Sequence, residues 1–355
     1  MKIGFQAGTL NYRGVHIAIF DYALHNQLIL GNESIIFYDE NNPGPLPIIE
    51  KFKRHFELVP YKNFSDVNRL SDQHRIDAVY IQKAGLRDAE CVSSVPNLIH
   101  AVFPQKVSEQ HGDVYAYISR WLSKECSNSR IPYVEYMVLF PEAKGDLRAQ
   151  LNIPAKATVL GCYGGQDSFN IGFVLDLVRE LSQASTNLYF LFMNIDPFTN
   201  QERVIFLPGT PDMTYKRLFI DTCDAMLHAR EMGESFGLAC AEFSICNKPV
   251  ITYGLSRQRN HIEVLGNKAL LYSNKKQLKE IINHLDRTWI KNQDWDCYSR
   301  TFSAKNIMQQ FQDVFLAPVS LGSTGLTPIS FLDRCHIVGS KLKKKARAFQ
   351  AKRQR

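Results

Sequence analysis

Two carboxylates, Glu234 and Glu242, stand eight positions apart in the run Glu234-Ser-Phe-Gly-Leu-Ala-Cys-Ala-Glu242. A carboxylate accepts two hydroxyl hydrogen bonds at once, so each suits the diol of a ribose or another sugar. If 236–246 is a helix, Phe236 and Glu242 are six rises apart, roughly 9 Å along the axis. That is about the reach from a diphosphate to the ribose of the same nucleotide. The free N–H groups at the start of such a helix provide a place for an anion. The chemistry implied is recognition of a charged link flanked by hydroxyl groups.

The elements that must position these acids read directly from the pattern. Residues 225–228 form a short apolar run, long enough for a buried strand. Residues 228–235 are polar and charged, with Gly233 as a loop former. Apolar side chains at 236, 239 or 240, 243 and 246 have helical spacing. Pro249 stops that helix, and Val250-Ile-Thr is β-branched, as strands prefer.

The same strand, Gly-containing loop and helix recur at residue 1. Residues 2–7 read as a strand, followed by a polar loop from Gly8 to Gly14 that contains Arg13. Residues 15–30 read as a helix with Ile17, Phe20, Leu24 and Leu28 on one stripe. Further strands are expected at 34–38, 56–60, 78–82, 97–102, 114–119 and 133–140, with a helix around 67–75. A second series begins at 158, where a strand runs into Gly164-Gly165; strands at 188–193 and 204–207 and helices at 215–222 and 275–286 follow. Such a series gives an α/β fold of doubly wound sheets, and ligands gather outside the carboxyl ends of their strands.

Glu234 to Glu242, followed by Asn-Lys-Pro-Val-Ile, resembles the signature of the retaining nucleotide-sugar glycosyltransferases called group one. The likeness is to their family-four-like members, of GT-B fold. It is specific at 225–252 and architectural over roughly residues 1–315. It implies two Rossmann-like domains facing a cleft: 1–140 for the acceptor and 141–317 for the nucleotide-sugar donor. A closing helix within 294–315 would return to the first domain. Residues 318–355 would form a basic, poorly ordered tail.

The resemblance also implies roles. Glu242 would hold the ribose diol and Glu234 the sugar hydroxyls. The N–H groups of Ser235, Phe236 and Gly237 would lie near the sugar and phosphates. Arg13, Gly14, Gly164 and Gly165 would line the donor site, His228 would contact the sugar, and His100 would reach it from the first domain. His100 and His228 could equally be packed strand-end histidines, and the loop at Arg13 a simple tight turn. The chemistry would be retaining transfer, hexosyltransferase-like, with no metal and no cofactor beyond the co-substrate. In one respect the chain departs from the family. No Lys or Arg occurs between Val159 and Val178, where a cation pair ordinarily meets the diphosphate. Arg230 is the nearest replacement, and Arg257 and Arg259 are next. The departure keeps open a GT-B-shaped binding or regulatory protein without transfer activity. A nucleotide-sugar epimerase or hydrolase is the other alternative.

Composition sets the remaining bounds. The 355 residues carry 45% hydrophobic side chains, enough for two ordinary cores. Eight cysteines without a Cys-x-x-Cys pair read as reduced thiols. The chain carries +7 and its last fifteen residues alone +8, so residues 1–340 sum to −1. That basic block suggests contact with an anionic membrane surface, or a merely solvated tail. The expected setting is cytoplasmic, peripheral at the inner membrane surface. The expected partners are a nucleotide-sugar donor and a glycan or lipid-linked acceptor, with no nucleic acid.

Overall fold

The computed structural model describes residues 1–328. The first part of the chain contains β1 (Lys2–Gly8), α1 (Gly14–Leu28), β2 (Glu33–Asp39), α2 (Leu46–Lys53), β3 (Glu57–Tyr61) and α3 (Asp66–Gln73). It continues through β4 (Ala78–Lys83), β5 (Asn97–Ala101), β6 (Val114–Tyr117) and α4 (Arg120–Ser127). All six strands are parallel, in the order β3-β2-β1-β4-β5-β6. Helices cover both faces of such a sheet, so its central strands are buried throughout. In β4 every residue from Ala78 to Gln82 is buried.

The second part repeats the plan. It contains β7 (Thr158–Tyr163), α5 (Gly172–Ala184), β8 (Leu188–Met193), β9 (Val204–Leu207), α6 (Met213–Thr222), β10 (Ala225–His228) and β11 (Gly233–Glu234). Then come α7 (Leu238–Ile245), β12 (Val250–Tyr253), β13 (Gln258–Arg259), α8 (Asn260–Leu265), β14 (Leu270–Tyr272), α9 (Lys275–Asn283) and α10 (Arg287–Lys291). Its main sheet is again parallel and six-stranded, ordered β14-β12-β10-β7-β8-β9, while β11 and β13 pair separately. Asp224, just before β10, accepts from Arg148 Nη2 at 2.9 Å and Arg287 Nε at 2.8 Å, which fixes the start of that strand.

Finally α11 (Ala304–Phe311) packs on α1. Phe311 stacks on Phe5 and Tyr22, and Phe315 meets Tyr80 and His100 edge-on, so the end of the chain completes the core of the first sheet.

Several expectations need correction. Residues 133–140 form no strand; only Tyr133 bridges Tyr117. Beyond it the backbone donors turn to the closing segment: Glu135 N–H donates to Gln310 Oε1 at 3.2 Å and Val138 N–H to Phe302 O at 2.9 Å. Nor are residues 318–328 loose. Gly325 bridges Val114, and Gln110 exchanges two hydrogen bonds with the backbone of Thr327. The basic block at 341–355, and with it the expected membrane contact, lies outside the described residues. Among the described residues no helix is long and apolar enough to cross a membrane.

Candidate functional site

Strand β10 ends on the buried His228, whose carbonyl accepts from Tyr272 Oη at 3.0 Å. The chain then loops out and returns as β11, where pairing with β13 holds Glu234 in place. The Glu234 carboxylate is gripped at both oxygens. His228 Nε2 lies 3.2 Å from Oε1, and Arg230 Nη1 lies 2.9 Å from Oε2. Burial alone would raise this carboxyl, but the His228 hydrogen bond and the Arg230 charge reverse that and bring it down to about 2. Glu234 is therefore an anion with fixed direction, still one-fifth exposed.

The turn from Glu234 into α7 depends on Gly237. Its φ of 96° is left-handed, and a Cβ there would sit 3.1 Å from the Cβ atoms of Glu234 and His261. The Phe236 ring is buried against Tyr136, Tyr298 and Phe302, and its carbonyl accepts from Asn260 Nδ2 at 3.0 Å. Ser235 is also buried. The first N–H groups of α7 have no acceptor within the helix. Gly14 faces this end of α7: a Cβ on it would stand 3.2 Å from Leu238 Cδ1. The first loop of the first sheet thus meets the helix opening, with the exposed Arg13 one residue before the contact.

Glu242 lies one turn and more along α7 and is buried. Its Oε2 accepts from the Tyr163 hydroxyl, and Lys216 Nζ lies 3.3 Å away. Burial, and then the Glu242 charge, push the Tyr163 phenol well above its ordinary range, so it remains a donor. Glu242 lines a cleft of about 420 Å³ between the two halves, with Asp21 and Lys51 of the first half and Leu238 of α7. Burial, with Glu242 adding to it and Lys51 and Lys216 opposing, raises Asp21 to about 7.

The expected residues do not all converge. His228, Arg230, Glu234, Ser235, Phe236 and Gly237 form one group, with Gly14 against the helix opening. Gly164 and Gly165 form the loop after β7, closed by Asn194 Nδ2 donating to Gly164 O at 2.6 Å. His100 is a correction. It is fully buried in the first core, with Nδ1 2.6 Å from Tyr80 Oη and Nε2 2.8 Å from Val134 O. Burial outweighs its hydrogen bonds and lowers it to about 3. A neutral, fully bonded imidazole packed beside Phe315 has no access to the cleft. Arg230, expected as the replacement diphosphate cation, donates through Nη1 to Glu234 and is one-third exposed. Arg259 donates to Gly254 O, and Arg257 is exposed beside Glu231.

Sequence reasoning missed Lys216, Tyr163, Thr252 and His261. Only Lys216 carried a signal: it falls three and four residues before Phe219 and Ile220, on the buried stripe of α6.

No curated protein matches the chain. The family model described as glycosyl transferases group 1 matches residues 126–302. The chain belongs to glycosyl transferases group 1. Its fold is GT-B, the fold of its structural neighbours. One is Anabaena Alr3699/HepE in complex with UDP-glucose, with 15% identity and a TM-score of 0.69 over 89% of this chain and 100% of that one. A glycosyltransferase from Rickettsia africae ESF-5 gives 14% identity and a TM-score of 0.65 over 89% and 99%. A putative UDP-N-acetylglucosamine 2-epimerase from Listeria monocytogenes gives 12% and 0.59 over 89% and 96%. These likenesses speak for the fold. In this group 1 chain, Tyr163 ends β7 and bonds Glu242, and the buried Lys216 of α6 lies beside it.

Proposed function

We propose that the chain transfers a sugar, most simply a hexose, from a nucleoside-diphosphate sugar to a hydroxyl acceptor with retention of configuration. The observation that carries this reading is the pair of anchored carboxylates, Glu234 before the opening of α7 and Glu242 on its second turn. Glu242 would take the ribose diol, and Glu234 the sugar hydroxyls with His228 beside it. Free N–H groups at the start of α7 would meet the diphosphate, where the helix offers about half a positive charge. Arg13, one residue before the Gly14 that faces Leu238, would add a whole one.

No protein nucleophile is required in this reading. The leaving diphosphate takes the acceptor proton on the same face of the sugar. The chain's share is positioning, and stabilisation of an oxocarbenium-like transition state by the fixed Glu234 anion. Neither a metal nor a further cofactor is called for. The acceptor, a glycan or a lipid-linked hydroxyl, would enter from the first domain. The setting would be cytoplasmic, at the inner membrane face.

A second reading is favoured by the strand end at Tyr163, where the family's cation is absent: a nucleotide-sugar binding protein, or an epimerase or hydrolase. Product analysis separates them. Incubation with UDP-glucose and a panel of hydroxyl acceptors yields a glycoside under the first reading. Isomerised or hydrolysed donor, or unchanged donor that is nonetheless bound, would replace it with the second.

A further inference from the structure

Behind Glu234 runs a chain of buried polar groups. His228 Nδ1 lies 2.8 Å from Thr252 Oγ1, and that oxygen lies 2.9 Å from His261 Nε2. Thr252 and His261 are completely buried. The two imidazole rings stand 4.8 Å apart, nearly edge to face. His261 Nδ1 is buried and has no hydrogen-bond partner. The arrangement arises from register, since parallel pairing of β10 with β12 sets His228 opposite Thr252, and α8 brings His261 over both.

Hydrogen-bond bookkeeping limits where the protons can sit. A carboxylate only accepts, so His228 Nε2 must carry the hydrogen that points to Glu234. If His228 is neutral, its Nδ1 is an acceptor. Thr252 then donates to it and in turn accepts from His261 Nε2–H. The unpartnered atom, His261 Nδ1, is left as a bare lone pair. If His228 is cationic, Nε2–H still points to Glu234 but Nδ1–H now donates to Thr252. Thr252 then either donates to His261 Nε2, which moves the His261 proton to a buried Nδ1 with no acceptor, or accepts from both imidazoles and leaves its own hydrogen without one. Orphaned buried donors are the rarer and costlier kind. Burial, the largest cause, holds His261 well below the ordinary imidazole value, so it does not escape by taking a second proton.

We propose that Thr252 and His261 are positioning residues that fix His228 as the neutral Nε2–H tautomer, so that its proton is permanently aimed at Glu234. The role in transfer rests on the reading of Glu234 as the sugar-binding acid, whereas the tautomer does not. The consequence is a carboxylate whose one oxygen is committed to a neutral donor. Its charge toward the cleft is set by Arg230 alone, and its direction does not change as the sugar ring gains positive character.

The test is ¹⁵N nuclear magnetic resonance of the full chain with labelled histidine near neutral pH, without ligand. The His228 signals are identified by their loss in His228→Gln and by their shift in Thr252→Ser. The expected result is a pyrrole-type Nε2 and a pyridine-type Nδ1, retained in Thr252→Ser. In Thr252→Val they move toward the average of two tautomers. Two pyrrole-type nitrogens, or a hydrogen on Nδ1, in the unsubstituted chain would overturn the proposal. With UDP-glucose as probe, Thr252→Val lowers kcat about tenfold while KM changes less, and Thr252→Ser recovers it. Equal turnover of all three with the expected tautomer would remove the link to catalysis. No turnover of UDP-glucose by the parent would count against that donor, not against the tautomer.

Discussion

Lys216 Nζ stands 3.3 Å from Glu242 Oε2, with the two side chains only 7% and 3% exposed. A cation and an anion this deeply buried depend on each other, because either one left alone is an unscreened charge. Lys216→Met is expected to destabilise the chain by about 3–5 kcal/mol. Adding Glu242→Gln recovers most of that, since both charges are then gone. Urea unfolding of the two singles and the double is the check. A double variant no more stable than Lys216→Met would mean that the pair is not coupled.

Glu234 carries a different kind of expectation. Its carboxylate is one-fifth exposed and paired to surface-accessible Arg230, so little of the fold hangs on it. Glu234→Ala is expected to lower turnover about 10²-fold or more, with a melting temperature close to the parent. Wild-type turnover would remove Glu234 from the site.

His100 is expected to behave the opposite way. His100→Leu leaves Tyr80 Oη and Val134 O without their partner, at a cost of about 1–3 kcal/mol each. Turnover per folded molecule should be unchanged. The pH dependence follows from burial, which lowers the folded value from 6.5 to about 3. The imidazole's contribution to stability is complete above about 6.5 and is lost as pH falls toward 3. A large loss of turnover in a well-folded His100→Leu protein would restore a catalytic role.

Two carboxyls, Asp21 at the cleft and the buried Glu135, are raised chiefly by desolvation, each to about 7. An acid with a raised folded value holds its proton longer in the native state, so stability falls as pH rises from the unfolded value toward 7. Above 7 the full cost is present. Relative to the parent, Asp21→Asn with Glu135→Gln should therefore gain stability between about pH 5 and pH 8. Unfolding curves at the two pH values measure the difference. A gain that is the same at both would show that neither group is shifted.

Much of the second half was legible in the sequence because its signals are local. The strands at 188–193, 204–207 and 225–228 stand at the bounds their apolar runs suggest. Asn247, between the helix and Pro249, takes φ 55°, a left-handed conformation that asparagine tolerates. What could not be read was tertiary. Residues 133–140 have strand composition, yet the N–H groups of Glu135 and Val138 bond to a segment more than 160 residues later. His100 sits at the end of a strand, as a ligand-facing histidine would, and nothing local reveals Phe315 closing over it. Lys216 and Glu242 are 26 positions apart on different helices, and only the packing of α6 beside α7 brings them together.

The most direct test of the donor assignment is a melting-temperature comparison of the parent and Glu234→Gln, each with UDP and with UDP-glucose. A ligand that binds only the native state at 100 times its Kd adds about 2.7 kcal/mol of stability. The account predicts that UDP raises the melting temperature of both proteins, and that glucose attached to UDP adds a further rise only in the parent. Absence of any UDP effect in the parent, or an equal sugar-dependent rise in both proteins, would contradict it.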